Sequence, residues 1–224
     1  MFDSLKLSDL PKKQSYVLRK PSSTRPTIWV MEENGLRVVV KDYSTNKFFF
    51  RHTVGRFLVW RERKAYNKLK GLRGVPHIYG VIDGLALIIE QIPGRDLKKA
   101  TREMQLPETF LETLNDLVND LHKKGVAHCD LKKATNILMG KDGLPYIIDW
   151  GASISEKEFR FPPFNLIYRR FVLDDQMAVI KLKRRYASQM VTPAEIKRYK
   201  SRDKAEKHIR MIRDRLRRIL QKLA

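Results

Sequence analysis

The sequence predicts an α+β protein in two parts. Residues 1–92 are expected to form a mostly antiparallel sheet with one main helix, and residues 93–224 a mostly helical part. Two observations indicate this division. Short β-branched runs separated by turn pairs fill the first ninety residues, whereas apolar residues recur at helical spacing after the break at Pro93-Gly94. With 42% hydrophobic residues, the chain of 224 residues can form a packed core.

The first part is predicted to begin with hairpins. The runs YVLRK, TIWVMEE and LRVVVK, within residues 16–41, alternate in the way strands do, and the Asn34-Gly35 pair is a strong hairpin signal. Residues 47–70 then favour a helix that ends at Gly71. Two more strands follow within residues 75–92, joined by a tight turn at Asp83-Gly84.

The second part is predicted to begin with a helix over residues 107–123. Its leucines at 111, 114, 117 and 121 share one face with Val118. A hairpin at Asp142-Gly143 comes next, then an irregular stretch rich in Phe and Pro, and a helical last third.

The charge of the chain predicts an anionic partner. The formal net charge is +21, and residues 181–224 alone hold 16 basic and 4 acidic residues. An amphipathic helix is expected there, with its apolar residues at Ile209, Ile212, Leu216, Ile219 and Leu223. Its basic face either is simply solvated or docks on RNA or an anionic phospholipid surface. A second candidate interfacial patch comprises Phe48, Phe49, Phe50, Arg51, Arg56, Phe57 and Trp60, with burial against the sheet as the alternative.

The location of the chain is predicted from what its sequence lacks. One cysteine, Cys129, cannot form an intramolecular disulfide framework, and no secretory signal or apolar run of membrane-spanning length is visible. A cytoplasmic chain is expected, with peripheral attachment to the inner membrane as an alternative.

Polar residues with catalytic chemistry follow one another in a fixed order. Lys41 ends an apolar strand, and Glu62 lies on the next helix. A single loop then contains His128, Asp130, Lys132 and Asn136. Asp149 ends the strand YIID and is followed by Trp150-Gly151. This order resembles that of the protein-kinase superfamily, in which a strand lysine, a helix glutamate, an H-R-D loop with an asparagine, and D-F-G recur.

The resemblance implies a two-lobed kinase-like fold and a role for each residue. Lys41 would hold the α- and β-phosphates of ATP, and Glu62 would position Lys41. Asn136 and Asp149 would bind Mg²⁺ through oxygen atoms. Asp130 would accept the proton of the acceptor hydroxyl, while Lys132 would neutralise charge on the moving phosphate.

The resemblance also implies where the nucleotide base and sugar would bind. Backbone groups of Glu90 and Ile92 would reach the adenine, beside Ile89, and Asp96 would contact the ribose. The glycine-rich phosphate loop of the family is absent, because no glycine precedes Gly35. Its place is taken by a segment whose small hydroxyl residues would cradle phosphate: Ser22, Ser23 and Thr24.

Further departures indicate a compact, atypical branch of the superfamily. Cys129 replaces the arginine of H-R-D, and no A-P-E motif follows Gly151. Asn136 stands six residues after Asp130, one more than usual, so Thr135 is the alternative metal ligand. Over residues 25–190 the chain is similar to the RIO-type kinases and to the bacterial lipopolysaccharide-core kinases, which phosphorylate Kdo or heptose.

Three functions are consistent with this sequence. The first is an ATP- and Mg²⁺-dependent serine/threonine-protein kinase, including autophosphorylation, as the RIO resemblance implies. The second is a kinase of lipopolysaccharide-core sugars at the inner membrane. The third is a non-catalytic protein, either a pseudokinase or an ATPase switch that binds RNA or the ribosome.

Overall fold

A computed structural model describes residues 2, 5–33, 35–107 and 109–200 of the chain. It divides into two compact units, Met1–Val179 and Ile180–Ala224. The predicted α+β class is confirmed, since an antiparallel sheet precedes a part with most of the helices. The predicted division after Ile92 falls inside the first unit, where the large sheet ends at Glu90.

Five strands form the large sheet, in the order β1-β2-β3-β5-β4, and all neighbours are antiparallel. They are β1 (Gln14–Arg19), β2 (Thr27–Glu33), β3 (Leu36–Asp42), β4 (Ile78–Ile82) and β5 (Ala86–Glu90). The predicted turn between β4 and β5 is tight because Asp83 and Gly84 both have positive φ, 50° and 68°, as a type I′ turn requires.

The two faces of this sheet differ in what covers them. On one face Trp29, Met31 and Val38 pack in a core cluster with Phe2 and Leu10, and helix α1 (Leu10–Lys13) begins there. The opposite face carries Ile28, Val39 and Lys41, which the register places on adjacent strands. The N-terminal residues therefore close one face and leave the Lys41 face for other partners.

The segment after β3 is helical, as predicted, but it is built from three pieces. A short α2 (Phe48–Phe50) leads through a π-helical turn, Arg51–Gly55, into α3 (Arg56–Lys68). Gly55 packs so tightly on Tyr43 that a Cβ atom at Gly55 would lie 3.2 Å from the Tyr43 Cβ. The helix α3 buries Val59, Glu62, Ala65 and Tyr66.

The remainder of the first unit combines helices with two small sheets. Its elements are β6 (Gly94–Asp96), α4 (Leu97–Glu103), α5 (Phe110–Lys123), β7 (Val126–Ala127), β8 (Ile137–Gly140), β9 (Pro145–Ile147), β10 (Ile154–Ser155) and the start of α6 (Asn165–Tyr186). Strands β6, β8 and β9 form one sheet, and β7 pairs with β10. All five residues predicted for the apolar face of α5 are buried, although the helix begins later than predicted, at Phe110.

The second unit is described as far as residue 200. It contains α7 (Pro193–Lys200), and Glu195 in this helix accepts a hydrogen bond from Lys183 at 2.9 Å. The Arg184 guanidinium stacks over the ring of Tyr199 at 4.4 Å. The predicted amphipathic helix with Ile209 and Leu223 lies outside the described residues. Among the residues described, no helix has the length and apolar character needed to cross a membrane.

Replacing Leu10 should destabilise the protein strongly. Leu10 is fully buried in the cluster on the closed face of the sheet, so Leu10→Ala is expected to lower the free energy of unfolding by about 2–5 kcal/mol. The matched control is Leu18→Ala on β1. Because Leu18 is 53% exposed, this substitution should change the free energy of unfolding by less than about 0.5 kcal/mol. Urea unfolding measures both; equal losses would contradict the assigned core.

Candidate active site

Lys41 joins two carboxylates that lie far apart in the sequence. Its Nζ atom, at the end of β3, donates to Oε1 and Oε2 of Glu62 at 2.6 and 2.8 Å. The same Nζ donates to Oδ1 of Asp149 at 2.8 Å. Lys41 and Glu62 are buried, whereas 47% of the Asp149 side chain is exposed. The structure therefore brings together three predicted site residues and leaves one carboxylate open.

The charges in this cluster control one another's protonation. Burial alone would lower the pKa of Lys41, but Asp149 and Glu62 outweigh burial and raise it well above its ordinary value. The positive charge of Lys41 holds the pKa of Asp149 far below its usual range, against the effect of burial. Burial raises the pKa of Glu62, although Lys41 opposes that shift. Asp149 is accordingly an ionised carboxylate at neutral pH.

Glu62 also fixes the segment that follows Asp149. Its Oε1 accepts a hydrogen bond from the backbone N–H of Trp150 at 3.2 Å. The buried Trp150 ring lies edge-on to Tyr66 and His128, with ring centroids 6.2 and 4.7 Å away. Trp150 thus acts as a packing residue at the position of the family's phenylalanine.

Basic side chains of α3 donate hydrogen bonds to Gly125 and to two residues that follow Asp149. Arg61 Nε donates to the carbonyl of Ser153 at 2.6 Å. Two turns further on, Lys68 Nζ donates to the carbonyl of Gly125 at 2.8 Å and to Oγ of Ser155 at 2.9 Å. The helix that carries Glu62 is therefore held at several points along its length.

Asp130 lies in the loop between β7 and β8, where Lys133 rather than Lys132 reaches its carboxylate. Lys133 Nζ donates to Asp130 Oδ2. Lys133 is also close enough to Asp149 to help lower the pKa of that carboxyl. Lys132 is exposed and has other interactions. Lys133 is a site residue that the sequence analysis missed, although its position three residues after Asp130 was a usable signal.

The β8–β9 hairpin brings Asn136 beside Asp149. The backbone N–H of Ile148 donates to the Asn136 carbonyl at 2.9 Å, directly after the paired residues of the hairpin. The Asn136 side chain is buried and donates through Nδ2 to the Asp130 carbonyl at 3.1 Å. Thr135 is exposed. The geometry thus favours Asn136 over Thr135 as the residue next to Asp149.

Two residues of the site adopt a backbone conformation that residues with a side chain rarely take. Cys129 and Asp149 have φ of 68° and 69°, in the left-handed region. The buried carboxylate of Asp175, on α6, accepts hydrogen bonds from the backbone N–H groups of His128 at 2.6 Å and Cys129 at 2.9 Å. Asp175 therefore stabilises the strained loop. No role was predicted for Asp175, because this residue lies 46 positions from Cys129 in the chain.

His128 supports the loop as well. The N–H of Asp130 donates to its Nδ1 at 3.3 Å, so the ring proton is on Nε2, which donates to the Ile148 carbonyl at 2.9 Å. Both ring nitrogens are thereby occupied, which assigns His128 a positioning role and no proton transfer. Burial raises the pKa of the Cys129 thiol, which disfavours its thiolate form at neutral pH.

The Lys41 face of the sheet leaves an apolar surface partly open. Ile28 and Val39 are half-buried there, whereas Trp29 and Val38 on the opposite face are buried. At the predicted adenine edge, the N–H of Glu90 already donates to the His77 carbonyl at 2.8 Å. The Glu90 carbonyl and the backbone of Ile92 consequently remain the predicted contacts with adenine.

The predicted phosphate-cradling segment forms a closed turn. Ser22 and Arg25 exchange backbone hydrogen bonds of 3.2 and 3.4 Å, and Asn46 Nδ2 donates to both of their carbonyls. Ser23 and Thr24 lie exposed at the tip. The hydrogen bonds that the described residues of this turn make do not reach Lys41, Asp130 or Asp149, so phosphate binding by Ser22, Ser23 and Thr24 stays a prediction.

Asp96 has a structural role that the sequence analysis did not assign. Its Oδ1 accepts a hydrogen bond from the N–H of Lys99 at 3.0 Å and caps α4. A contact with ribose would have to share this carboxylate, and it stays a prediction.

The residues around Asp149 have the chemistry that a nucleotide-bound Mg²⁺ requires. Mg²⁺ takes one or two protein oxygen ligands and completes its coordination with phosphates and water. The ionised, half-exposed Asp149 carboxylate and the neighbouring Asn136 amide can provide such ligands. In the described part of the chain no group of three or more His, Cys, Asp or Glu residues could hold a metal alone. The donor set therefore fits a metal that arrives with a polyphosphate.

Removing the Lys41 charge should make stability depend on pH through Glu62. Lys41→Met leaves a buried carboxylate without its partner, so the free energy of unfolding should fall by about 3–5 kcal/mol at neutral pH. The pKa of Glu62, already raised by burial, rises further without Lys41. A carboxyl whose pKa is higher in the folded state than in the unfolded state stabilises at low pH, and this stabilisation is lost as pH rises.

The Lys41→Met variant should therefore regain stability between about pH 7 and about pH 5, relative to wild type. In wild type, Asp149 has the opposite effect on stability. Its pKa is lower in the folded state, so the free energy of unfolding decreases as the pH falls. Urea unfolding at several pH values measures the difference. The double variant Lys41→Met/Glu62→Gln is the control and should lack the gain; a single variant that parallels wild type at every pH would contradict the pairing.

Comparison with known proteins identifies the family. The model of the RIO domain matches residues 31–161, more than half of the chain, and this range includes Lys41, Glu62, Asp130, Asn136 and Asp149. A search of curated proteins gave no match. The predicted resemblance to RIO-type kinases and the two-lobed kinase-like fold are confirmed, while the likeness to lipopolysaccharide-core kinases stays a prediction. The chain belongs to the RIO domain family of atypical, protein-kinase-like kinases and ATPases.

Proposed function

We propose that this protein is an ATP- and Mg²⁺-dependent phosphotransferase that moves the γ-phosphoryl group to a hydroxyl. The acceptor that we propose is serine or threonine on protein, including the chain itself. The observation that carries this proposal is the Lys41 ammonium, bonded at once to the buried Glu62 and to the exposed Asp149. An arrangement of this kind places a fixed positive charge next to a metal-binding carboxylate, as phosphoryl transfer requires.

Binding of ATP would use the Lys41 face of the sheet. The half-buried Ile28 and Val39 offer an apolar surface to adenine, and Lys41 contacts the phosphates. Asn136 and Asp149 would hold Mg²⁺, which when bound neutralises the charge of the phosphates. Because Glu62 and Asp149 already fix the Lys41 ammonium, little side-chain ordering is left for the moment of binding.

The chemical step would take place at Asp130. Its carboxylate accepts the proton of the acceptor hydroxyl as the new bond to the γ-phosphorus forms and the bond to the β-phosphate oxygen breaks. Lys133, bonded to Asp130, and the neighbouring Lys132 supply positive charge beside the moving phosphoryl group. Asn136 and Asp175 keep the loop in place through the Asp130 carbonyl and two backbone N–H groups.

Asp130→Asn should slow phosphoryl transfer strongly but preserve nucleotide binding. The amide cannot accept the proton, so label transfer from γ-labelled ATP to the protein is expected to fall about 10²–10⁴-fold. The matched control is Asp116→Asn, at an exposed position of α5. Equal labelling in wild type and Asp130→Asn would remove Asp130 from the chemistry, and no labelling of any acceptor by wild type would favour a pseudokinase or ATPase.

Filling the apolar surface beside Lys41 should block nucleotide binding. Val39 is half-buried on that face, so Val39→Trp should weaken the binding of a fluorescent ATP analogue at least about tenfold, without unfolding the protein. Val39→Ala tests whether the size of the side chain matters and should still bind. Equal affinity for the Trp and Ala variants would place adenine elsewhere.

The acceptor class can be measured directly. Wild type is incubated with γ-labelled ATP and a fractionated cell extract, and Asp130→Asn is the control. Label in protein that depends on Asp130 would support the proposal. Label confined to glycolipid would replace the protein acceptor by a lipopolysaccharide-core sugar.

A further inference from the structure

The helical segment after β3 exposes an unusual set of large apolar side chains. Five of them form what we call the aromatic ridge: Phe48, Phe49, Val54, Phe57 and Trp60. Phe48 and Phe49 are 71% and 79% exposed, and Phe57 and Trp60 about half. The buried side of α3, with Val59 and Tyr66, faces the core instead. The fold of the first unit therefore does not use the ridge for its own packing, and such patches mark interaction surfaces.

The ridge is surrounded by positive charge. Two of its rings make cation–π contacts. The guanidinium of Arg51 lies 5.4 Å from the ring centroid of Phe48, and Lys64 Nζ lies 5.2 Å from the ring centroid of Trp60. Other basic residues along the segment are Lys47, Arg56, Arg61 and Arg63. The one acidic residue within 47–64 is Glu62, which is buried and bonded to Lys41. The exposed surface of this segment is therefore apolar and cationic.

A basic depression adjoins the ridge at its N-terminal end. Arg51, His52 and Arg56 line it together with Ser8 and Ser44, and Asp83 is its one acidic residue. Arg51 is held in place, since its Nη1 donates to the Ser44 carbonyl at 3.1 Å. Basic groups and hydroxyls at this position suit a phosphate group that approaches beside Phe48.

A second stretch of exposed apolar side chains follows residues 153–158, the segment to which Arg61, Lys64 and Lys68 of α3 donate hydrogen bonds. Lys64, whose Nζ lies over Trp60, also donates to Glu158 at 2.7 Å. Soon after Glu158 come four exposed side chains: Phe161 (74%), Phe164 (56%), Leu166 (60%) and Ile167 (41%). Lys64 thus joins α3 to the segment that precedes this stretch, and the stretch is a second group of exposed apolar side chains in the same unit.

We propose that the aromatic ridge and its basic surroundings dock the protein on the surface of an anionic phospholipid bilayer. Aromatic side chains of an amphipathic helix enter the boundary between headgroups and acyl chains, while lysine and arginine keep their charged ends at the headgroups. The depression beside Phe48 would receive a headgroup phosphate. The surface carries the charge complementary to an anionic headgroup layer, with no exposed acid along residues 47–64 to oppose it.

The aliphatic members of the surface distinguish a bilayer from RNA. Single-stranded nucleic acid binds to aromatic rings by stacking and to cations by charge. Val54 in the ridge gains nothing from stacking, but it would lose exposed apolar area in an acyl-chain environment, and the same holds for Leu166 and Ile167 in the second stretch. The docking does not require phosphoryl transfer, and it can be measured without ATP.

Tryptophan fluorescence gives a local readout of the docking. Of the three tryptophans, Trp29 and Trp150 are buried, and Trp60 is 53% exposed. Vesicles of phosphatidylcholine with phosphatidylglycerol should shift the emission of the full chain to shorter wavelength, and pure phosphatidylcholine should do so far less. The variant Trp60→Phe should lose the shift. An unchanged shift in this variant, or none in wild type at low salt, would overturn the proposal.

Cosedimentation with the same vesicles tests the ridge by mutation. The double variant Phe48→Ser/Phe49→Ser removes the two most exposed rings of the aromatic ridge and should lower vesicle partitioning about tenfold or more. The matched control is Tyr16→Ser/Leu18→Ser on β1, whose side chains are 40% and 53% exposed, and it should partition like wild type. Circular dichroism confirms that each variant is folded.

Other outcomes assign the surface to other partners and overturn the proposal. Equal partitioning of wild type and the Phe48/Phe49 double variant would place membrane binding elsewhere, for example on the basic residues after 180. Binding of single-stranded RNA that requires Phe48 and Phe49, without vesicle binding, would assign the ridge to nucleic acid. A dimer that the same variant converts to monomer in light scattering would assign it to a second copy of the chain.

Discussion

One ammonium group shared by two carboxylates organises this molecule. Lys41 comes from the sheet, Glu62 from α3 and Asp149 from the end of the β9 strand segment, so that three separate regions meet at a single nitrogen. A buried charge without partners is costly, and each of these regions must therefore stay in place for the others to be stable.

The backbone of the site is strained at two residues, and side chains from distant parts of the sequence stabilise it there. Cys129 and Asp149 adopt left-handed conformations, which cost on the order of 1–3 kcal/mol each for residues other than glycine. Asp175 offsets this cost by accepting hydrogen bonds from the backbone N–H groups of His128 and Cys129, and Lys41 holds the Asp149 side chain. Such strained residues occur where a reactive side chain has to be aimed, here the Asp130 and Asp149 carboxylates.

Local patterns were sufficient to predict much of this structure. The strands around Asn34-Gly35 and Asp83-Gly84 and the buried face of α5 follow from alternation, turn chemistry and helical spacing. The convergence of Lys41, Glu62 and Asp149 was predicted only through the resemblance to the protein-kinase superfamily, in which residues of these types recur in this order. The role of Asp175 has no local signal, since it depends on a long-range contact, and the π-helical turn at Arg51–Gly55 depends on the packing of Gly55 against Tyr43. The strand β6 and the helix α4 were not predicted. Both elements within residues 94–103 are short and mostly polar, so neither the two-residue repeat of a strand nor the 3.6-residue repeat of a helix is visible in the sequence.

The fastening of α3 bears on how activity would be controlled. In many protein kinases the helix that carries the glutamate swings outward and separates it from the strand lysine, which switches the enzyme off. Here the same swing would break the bonds of Arg61 to Ser153 and of Lys68 to Gly125 and Ser155, along with the Glu62 contact to Trp150. Outward movement of α3 would therefore cost these hydrogen bonds in addition to the Lys41–Glu62 ion pair, so the structure disfavours an inactive form of that kind.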